Sequence, residues 1–218
     1  MSTVSFQNGG PTLRVGKILC LGRNYAEHVK EMKAERPDTP VVFLKPSTAL
    51  IHSGETVILP PFSHDVHHEV EMVVVIGKGG KNIERHRAYD HVAGYAVGLD
   101  MTLRDVQSDA KRRGLPWTVA KGFDTSAPVS EVVEKSAIAD PHALALSLKV
   151  NGFVRQQGNT GAMLVRVDDL IAYLSGVFTL EEGDLIFTGT PEGVGPVTRG
   201  DVLEATLGSS ARLRVRVE

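Results

Sequence analysis

The chain has 218 residues, a length that fits one domain, since domains run to roughly 100–200 residues and β-rich ones somewhat longer. Its 42% hydrophobic content can bury a core without staples, and its formal charge of -2, with the cations scattered, excludes the electrostatic footprint of a nucleic-acid or anionic-membrane binder. One cysteine excludes an internal disulfide framework, no window approaches the ~20 apolar residues of a membrane span, and the first residues lack a signal or transit pattern, so a reducing compartment, the cytosol, is expected.

Residues 1–16 read as an irregular or edge segment. The apolar run 17–21 is a strand in which Cys20 is a small buried hydrophobe. Asn24-Tyr25-Ala26-Glu27 has the spacing of a capping box that opens a helix to about Ala34. Strands follow at 41–45, 56–59, 69–76 and 92–100. Thr102-Leu103-Arg104-Asp105 opens a second helix towards Arg113, where Lys111-Arg112-Arg113 suits the negative end of the helix dipole and Gly114 and Pro116 stop it. Further strands are expected at 144–150, 185–188, 202–207 and 211–217, with a third helix from Asp168 or Asp169 through Tyr173. Strands dominate without regular βαβ alternation, which predicts an α+β fold with a mixed or antiparallel sheet.

The segment from His67 to Ile76 carries the most chemistry. From Val70 it is apolar except for Glu71, so it reads as a strand buried on both faces. Side chains alternate along a strand, which puts Glu69 and Glu71 on one side, two residues apart. Two carboxylates that close cannot both stay ionised in a low-dielectric site unless a cation joins them. A hard divalent ion with oxygen ligands answers that need. Asp100, at the end of the apolar strand 92–100, offers a third carboxylate, although it could equally belong to the helix start, with Glu69 and Glu71 facing solvent on an edge strand. The cluster His64-Asp65-Val66-His67-His68 lacks the alternation that would set three imidazoles on one strand face, so zinc is disfavoured and His67 and His68 read as packing or supporting groups.

His28 and Glu31, three apart on the first helix, share a face. A carboxylate beside a histidine fixes its tautomer and suits a general base, whereas the plain alternative is a surface pair. Glu27 is better explained by the capping box.

With these residues placed, the chain resembles the fumarylacetoacetate hydrolase family, nearest to its short acylpyruvate and fumarylpyruvate hydrolase branch, which includes oxaloacetate decarboxylases. The resemblance rests on Cys20–His28, Phe43-Leu44-Lys45-Pro46-Ser47, His67–Glu71, Leu99–Gln107, Leu115–Lys121 and Thr188–Gly195, six blocks in family order. It implies a mixed β-sheet roll with few short helices, a single catalytic domain over 17–218, and a homodimer. It implies Mg²⁺ or Mn²⁺ on Glu69, Glu71 and Asp100, a His28–Glu31 catalytic pair, and an active-site lysine at Lys121. Arg104, Gln107 and Thr190, with Lys45 beside them, match positions lining the substrate or oxyanion pocket. The expected reaction is hydrolytic C–C cleavage of a 2,4-dioxo acid to pyruvate and a carboxylic acid. His28 activates the water, Gln107 and Lys121 stabilise the developing charge, and oxaloacetate decarboxylation is possible at the same site. The alternatives are a 2-oxo acid isomerase or tautomerase and a catalytically silent metal-binding homologue. Thr188–Gly195 is glycine-rich but lacks the Gly-Lys-Ser/Thr of a nucleotide loop.

Overall fold

The computed structural model describes residues 2–32 and 38–218. In chain order, its elements begin with β1 (Thr3–Ser5), β2 (Thr12–Arg14), β3 (Lys17–Gly22), α1 (Ala26–Glu31), β4 (Val41–Pro46), β5 (Leu50–His52) and β6 (Thr56–Val57). The middle holds β7 (Val66–His68), β8 (Val70–Ile76), β9 (Val92–Leu99), β10 (Thr102–Leu103), α2 (Arg104–Arg113), α3 (Thr118–Lys121), β11 (Ala127–Val129) and β12 (Val133–Glu134). The chain closes with β13 (Ala145–Val150), β14 (Phe153–Asn159), α4 (Val167–Val177), β15 (Leu185–Phe187), β16 (Gly195–Pro196), β17 (Val202–Leu207) and β18 (Ala211–Val217).

The principal sheet runs β4-β3-β15-β8-β9-β11-β5, with β12 also on β9. It is mixed: β3–β15 and β11–β5 are parallel, and the other pairs are antiparallel. A second sheet runs β14-β13-β17-β18-β6, and a small one joins β10, β7 and β16. β1 and β2 form a separate hairpin. The architecture is therefore α+β with mixed, curled sheets and few helices, as the sequence indicates.

β8 shows why the acids of the site lie where they do. Val70, Met72, Val74 and Ile76 enter the core shared with the second sheet, against residues such as Leu148, Leu203 and Leu213. Val73 and Val75 enter the core on the opposite face, with Ile18, Cys20 and Phe187. Every residue of β8 is buried, so the period-two alternation has apolar partners on both sides. Glu71 has the parity of Val73 and faces Gly98 across the ladder. A Cβ on Gly98 would lie 2.8 Å from both Phe187 and Val73, so only glycine lets these layers close beside the carboxylate.

Three helix starts differ from the sequence expectation. Asn24 does not cap α1; Tyr25 occupies that position without a side-chain hydrogen bond. The Asn24 side chain instead accepts from Val165 N–H at 2.6 Å and donates to the Val165 and Thr188 carbonyls. These distant backbone groups outcompete the local cap. α1 ends at Glu31, and the expected end at Ala34 lies outside the described residues. Thr102 belongs to β10 and Leu103 precedes α2, because the Thr102 hydroxyl is turned inward to the site. α2 does end at Arg113, with Gly114 in the left-handed conformation. Arg166 precedes α4, which runs on to Val177; Asp168 and Asp169 sit in its first turn and pair with Arg85. Of the expected strand 56–59, only Thr56–Val57 is paired. Among the described residues, no helix is long and apolar enough to cross a membrane.

Candidate metal centre and its cleft

Glu69 leaves β7 for β8, Glu71 is the second residue of β8, and Asp100 follows β9 directly. The backbone joins them: Asp100 N–H donates to the Glu69 carbonyl at 2.8 Å. One oxygen from each of the three buried carboxylates lies within 4.8 Å of the others. Among the described residues, this is the group of acidic, histidine or cysteine side chains assembled closely enough to hold an ion. Asp100 is thus brought to the acid pair and does not cap α2.

Three cations brace the acids. Arg104 Nη2 donates to Glu69 Oε1 at 2.5 Å. Lys121 Nζ donates to Glu69 Oε2 at 2.8 Å, Asp100 Oδ2 at 2.5 Å and Thr102 Oγ1 at 2.7 Å, which uses all three of its N–H groups. Lys45 Nζ lies 2.8 Å from Asp100 Oδ1 and also contacts the Met101 and Lys121 carbonyls and Ser126.

Burial alone would push each buried acid upward in pKa and each buried lysine downward. At Glu69, the Lys121 and Arg104 charges reverse that and hold the carboxyl well below the ordinary glutamate range. At Glu71, burial is reinforced by the Asp100 and Glu69 charges, so its carboxyl is raised well above that range. Burial would lower Lys121, but Asp100 and Glu69 outweigh it and keep the ammonium charged. Glu71 accepts Gly189 N–H at 2.7 Å, and Gly189 has φ 92°, where a side chain would also strike Asn24.

The donor set fits a hard divalent cation. Its ligands are all carboxylate oxygens, one of them, Asp100 Oδ1, is buried without a hydrogen-bond donor aligned to it, and a cation beside Glu71 would offset the burial and the neighbouring charges that raise its pKa. Among the described residues neither neighbouring imidazole joins the acid cluster, and one nitrogen of each is engaged elsewhere. His67 Nε2 meets Asp65 at 2.8 Å and His68 Nδ1 meets Gln156 at 3.0 Å, so they supply no zinc ligand set.

A cleft opens over these acids, and His28, Arg104, Gln107, Lys121 and Thr190 all line it. His28 is buried, with Nδ1 3.1 Å from Glu31 Oε2, while Glu31 Oε1 accepts Gly193 N–H at 2.9 Å. The carboxylate therefore ties α1 to the loop before β16. Arg104 Nη1 donates to Gln107 Oε1 at 2.8 Å; arginine has only donors, so this fixes the Gln107 amide with its NH₂ free to donate. Lys45 is not brought into the cleft. Its side chain is wholly buried beneath the acids, where it holds Asp100 and the α3 backbone.

Gln156, which the sequence does not single out, stands behind Thr190. It is 1% exposed on β14, accepts Val70 N–H at 3.0 Å and donates to the Pro191 carbonyl at 2.9 Å. Those two backbone anchors fix its amide orientation. The same oxygen must then accept from His68 Nδ1, and the same NH₂ must donate to Thr190 Oγ1 at 2.8 Å. Burial lowers the His68 pKa, consistent with a neutral ring carrying its proton on Nδ1.

Comparison with known proteins follows the same lines. Residues 17–218 match the family model described as fumarylacetoacetate (FAA) hydrolase C-terminal. The mitochondrial oxaloacetate tautomerase FAHD1 of Mus musculus is 52% identical over 201 residues, spanning 92% of this chain and 91% of that protein. The Homo sapiens protein of the same name is 49% identical over the same shares. Among solved structures, fumarylpyruvate hydrolase from Pseudomonas aeruginosa, in complex with Mn²⁺ and pyruvate, superposes with a TM-score of 0.94 at 39% identity, covering 99% of this chain and 94% of that one. The 5-carboxymethyl-2-hydroxymuconate delta-isomerase of Mycobacterium smegmatis gives a TM-score of 0.84 at 38% identity, covering 94% and 79%.

Proposed function

This chain belongs to the fumarylacetoacetate hydrolase C-terminal family, and from that premise we propose that it is a divalent-metal-dependent enzyme of small 2-oxo acids. Its reaction is proton transfer at the carbon beside the 2-oxo group, with keto–enol interconversion of oxaloacetate as the first substrate. The observation that carries this reading is the His28–Glu31 pair in one cleft with Glu69 and Glu71, a base facing a carboxylate cluster. The names of the relatives at 49–52% identity support the choice of oxaloacetate.

Mg²⁺ or Mn²⁺ held by Glu69, Glu71 and Asp100 would supply Lewis acidity at the 2-oxo oxygen. The chain's own groups do the rest. Arg104, the Gln107 NH₂ and the Thr190 hydroxyl bind and orient the 2-oxo acid head. Glu31 holds His28 with its proton on Nδ1, which leaves Nε2 to take and return the substrate proton. Lys121, with every N–H committed, keeps Glu69 ionised and holds both Glu69 and Asp100 in place. Lys45 holds Asp100 in place from below.

Hydrolytic C–C cleavage of an acylpyruvate is the second reading, favoured by the same His28–Glu31 pair, which can activate a water as readily as a C–H bond. The fumarylpyruvate hydrolase neighbour supports it. A homodimer fits the exposed apolar residues Leu44, Leu115 and Val119, and the lone buried thiol suits the cytosol or a mitochondrial matrix alike. The deciding experiment follows the enol absorbance of oxaloacetate and of a panel of acylpyruvates, with and without pyruvate capture by lactate dehydrogenase. Faster enol decay of oxaloacetate without pyruvate release supports tautomerisation. Stoichiometric pyruvate from an acylpyruvate, with no effect on oxaloacetate enol, replaces it with hydrolysis.

A further inference from the structure

The run Lys111-Arg112-Arg113 closes α2, and its three cations do not behave alike. Arg112 and Arg113 both pair with Asp109 on the outer side of the helix. Lys111 stands at i+7 from Arg104 and i+4 from Gln107, so the three form one stripe on the face that borders the cleft. Its ammonium lies over the Trp117 ring, 5.1 Å from the centroid, and among the described residues it pairs with no carboxylate.

The cations deeper in the cleft are already matched. Arg104 and Lys121 are paired with Glu69, and Lys121 and Lys45 with Asp100. Among the described residues Lys111 has no carboxylate partner, and it lines the same cleft near its mouth. Burial, followed by the like charges of Arg104, Arg23 and Lys121, lowers its pKa, and these cations gather with it at this end of the cleft. A second anionic group on the ligand would relieve that crowding of like charge. An uncharged tail would not.

We infer that Lys111 is a specificity residue that receives the distal carboxylate of the substrate, so the cleft prefers dicarboxylic 2-oxo acids over those with a neutral tail. This rests on the reading of the cleft as a 2-oxo acid site. The Trp117 ring is the perch from which the ammonium swings to the ligand, and the surrounding cations exclude a neutral acyl group only by failing to reward it.

Trp117 is the single tryptophan of the chain, so its fluorescence reads the contact directly. Wild type, Lys111→Met and Lys111→Arg, each with Mg²⁺, are titrated with malate and with 2-hydroxybutyrate, a pair in which a methyl replaces the distal carboxylate. KM is then measured for oxaloacetate and for acetylpyruvate. In wild type, malate should bind roughly tenfold or more tightly than 2-hydroxybutyrate and perturb Trp117 emission. Lys111→Met should erase that margin and raise KM for oxaloacetate by a similar factor while sparing acetylpyruvate; Lys111→Arg should restore both. Equal binding of the two acids by wild type, or equal weakening of both by Lys111→Met, overturns the assignment. An enzyme inactive on both substrates would defeat the reading of the function, whereas the titration would still decide the role of Lys111.

Discussion

Gln156 donates to Thr190 Oγ1 at 2.8 Å and thereby leaves the Thr190 hydroxyl hydrogen free to point at the cleft. A hydroxyl that accepts from an amide must find its own acceptor elsewhere, and a substrate carboxylate is the natural one. Gln156→Glu keeps the acceptor for Val70 and His68 but loses both donors, to Thr190 and to the Pro191 carbonyl. We expect a fall of roughly 10-fold in kcat/KM and about 2–3 kcal/mol in stability, since a buried carbonyl is left unpaired. Steady-state kinetics beside a urea melt reads both; an unchanged KM and kcat would show that Thr190 is not oriented from behind.

In the proposed mechanism His28, held by Glu31, is the base, and two variants separate its uses. His28→Ala should abolish tautomerisation and acylpyruvate hydrolysis, with losses of about 10²–10⁴-fold, while largely sparing oxaloacetate decarboxylation, which requires neither a base nor water. Glu31→Ala should lower kcat by roughly 10- to 100-fold with little change in KM, since it frees the ring without touching the ligand. Equal loss of all three activities in His28→Ala would remove the separate role of the base.

The Glu69–Glu71 and His28–Glu31 juxtapositions are legible in the sequence because their signals are local. Strand alternation pairs Glu69 with Glu71, and helical spacing pairs His28 with Glu31. Asp100 needs more, since strand end and helix cap look alike until β9 is laid beside β8. Gln156 is illegible for a different reason. Its strand is mostly polar and exposed, and the one buried side chain earns its place by contacts with Val70 and Thr190, far away in the chain. A usable signal did exist: Asn151-Gly152, at φ 52° and 82°, is the two-residue turn of a hairpin and implies a strand at 153–159. The Asn24 cap misleads a local reading because its partners, Val165 and Thr188, come together with it only in the fold, as do Met101 and Ser126 around Lys45.

Glu71 sets a pH dependence for the metal-free protein. Its folded pKa is raised above the ordinary glutamate value by burial and by Asp100 and Glu69, so the folded state binds more protons than the unfolded one above that value. Stability from this group is therefore fully present below about pH 4.5 and is lost as pH rises towards the folded pKa. Glu71→Gln mimics the protonated acid. Stripped of metal, it should be at least as stable as wild type at pH 7–8, the difference shrinking towards pH 5. Chemical denaturation across that range checks it; a variant less stable than stripped wild type at pH 8 would mean that Glu71 is ionised and satisfied without a cation.

In the proposed mechanism Glu69, Glu71 and Asp100 hold a divalent ion on which turnover depends. The direct measurement is Mn²⁺ binding by calorimetry to EDTA-stripped wild type, Glu71→Gln and Asp100→Asn, with activity assayed before and after adding back Mg²⁺ or Mn²⁺. We expect about one ion per chain in wild type, weak or absent binding in both variants, and activity that disappears on stripping and returns with either ion. Full turnover by the stripped protein, or unaltered Mn²⁺ affinity in Glu71→Gln, would contradict it.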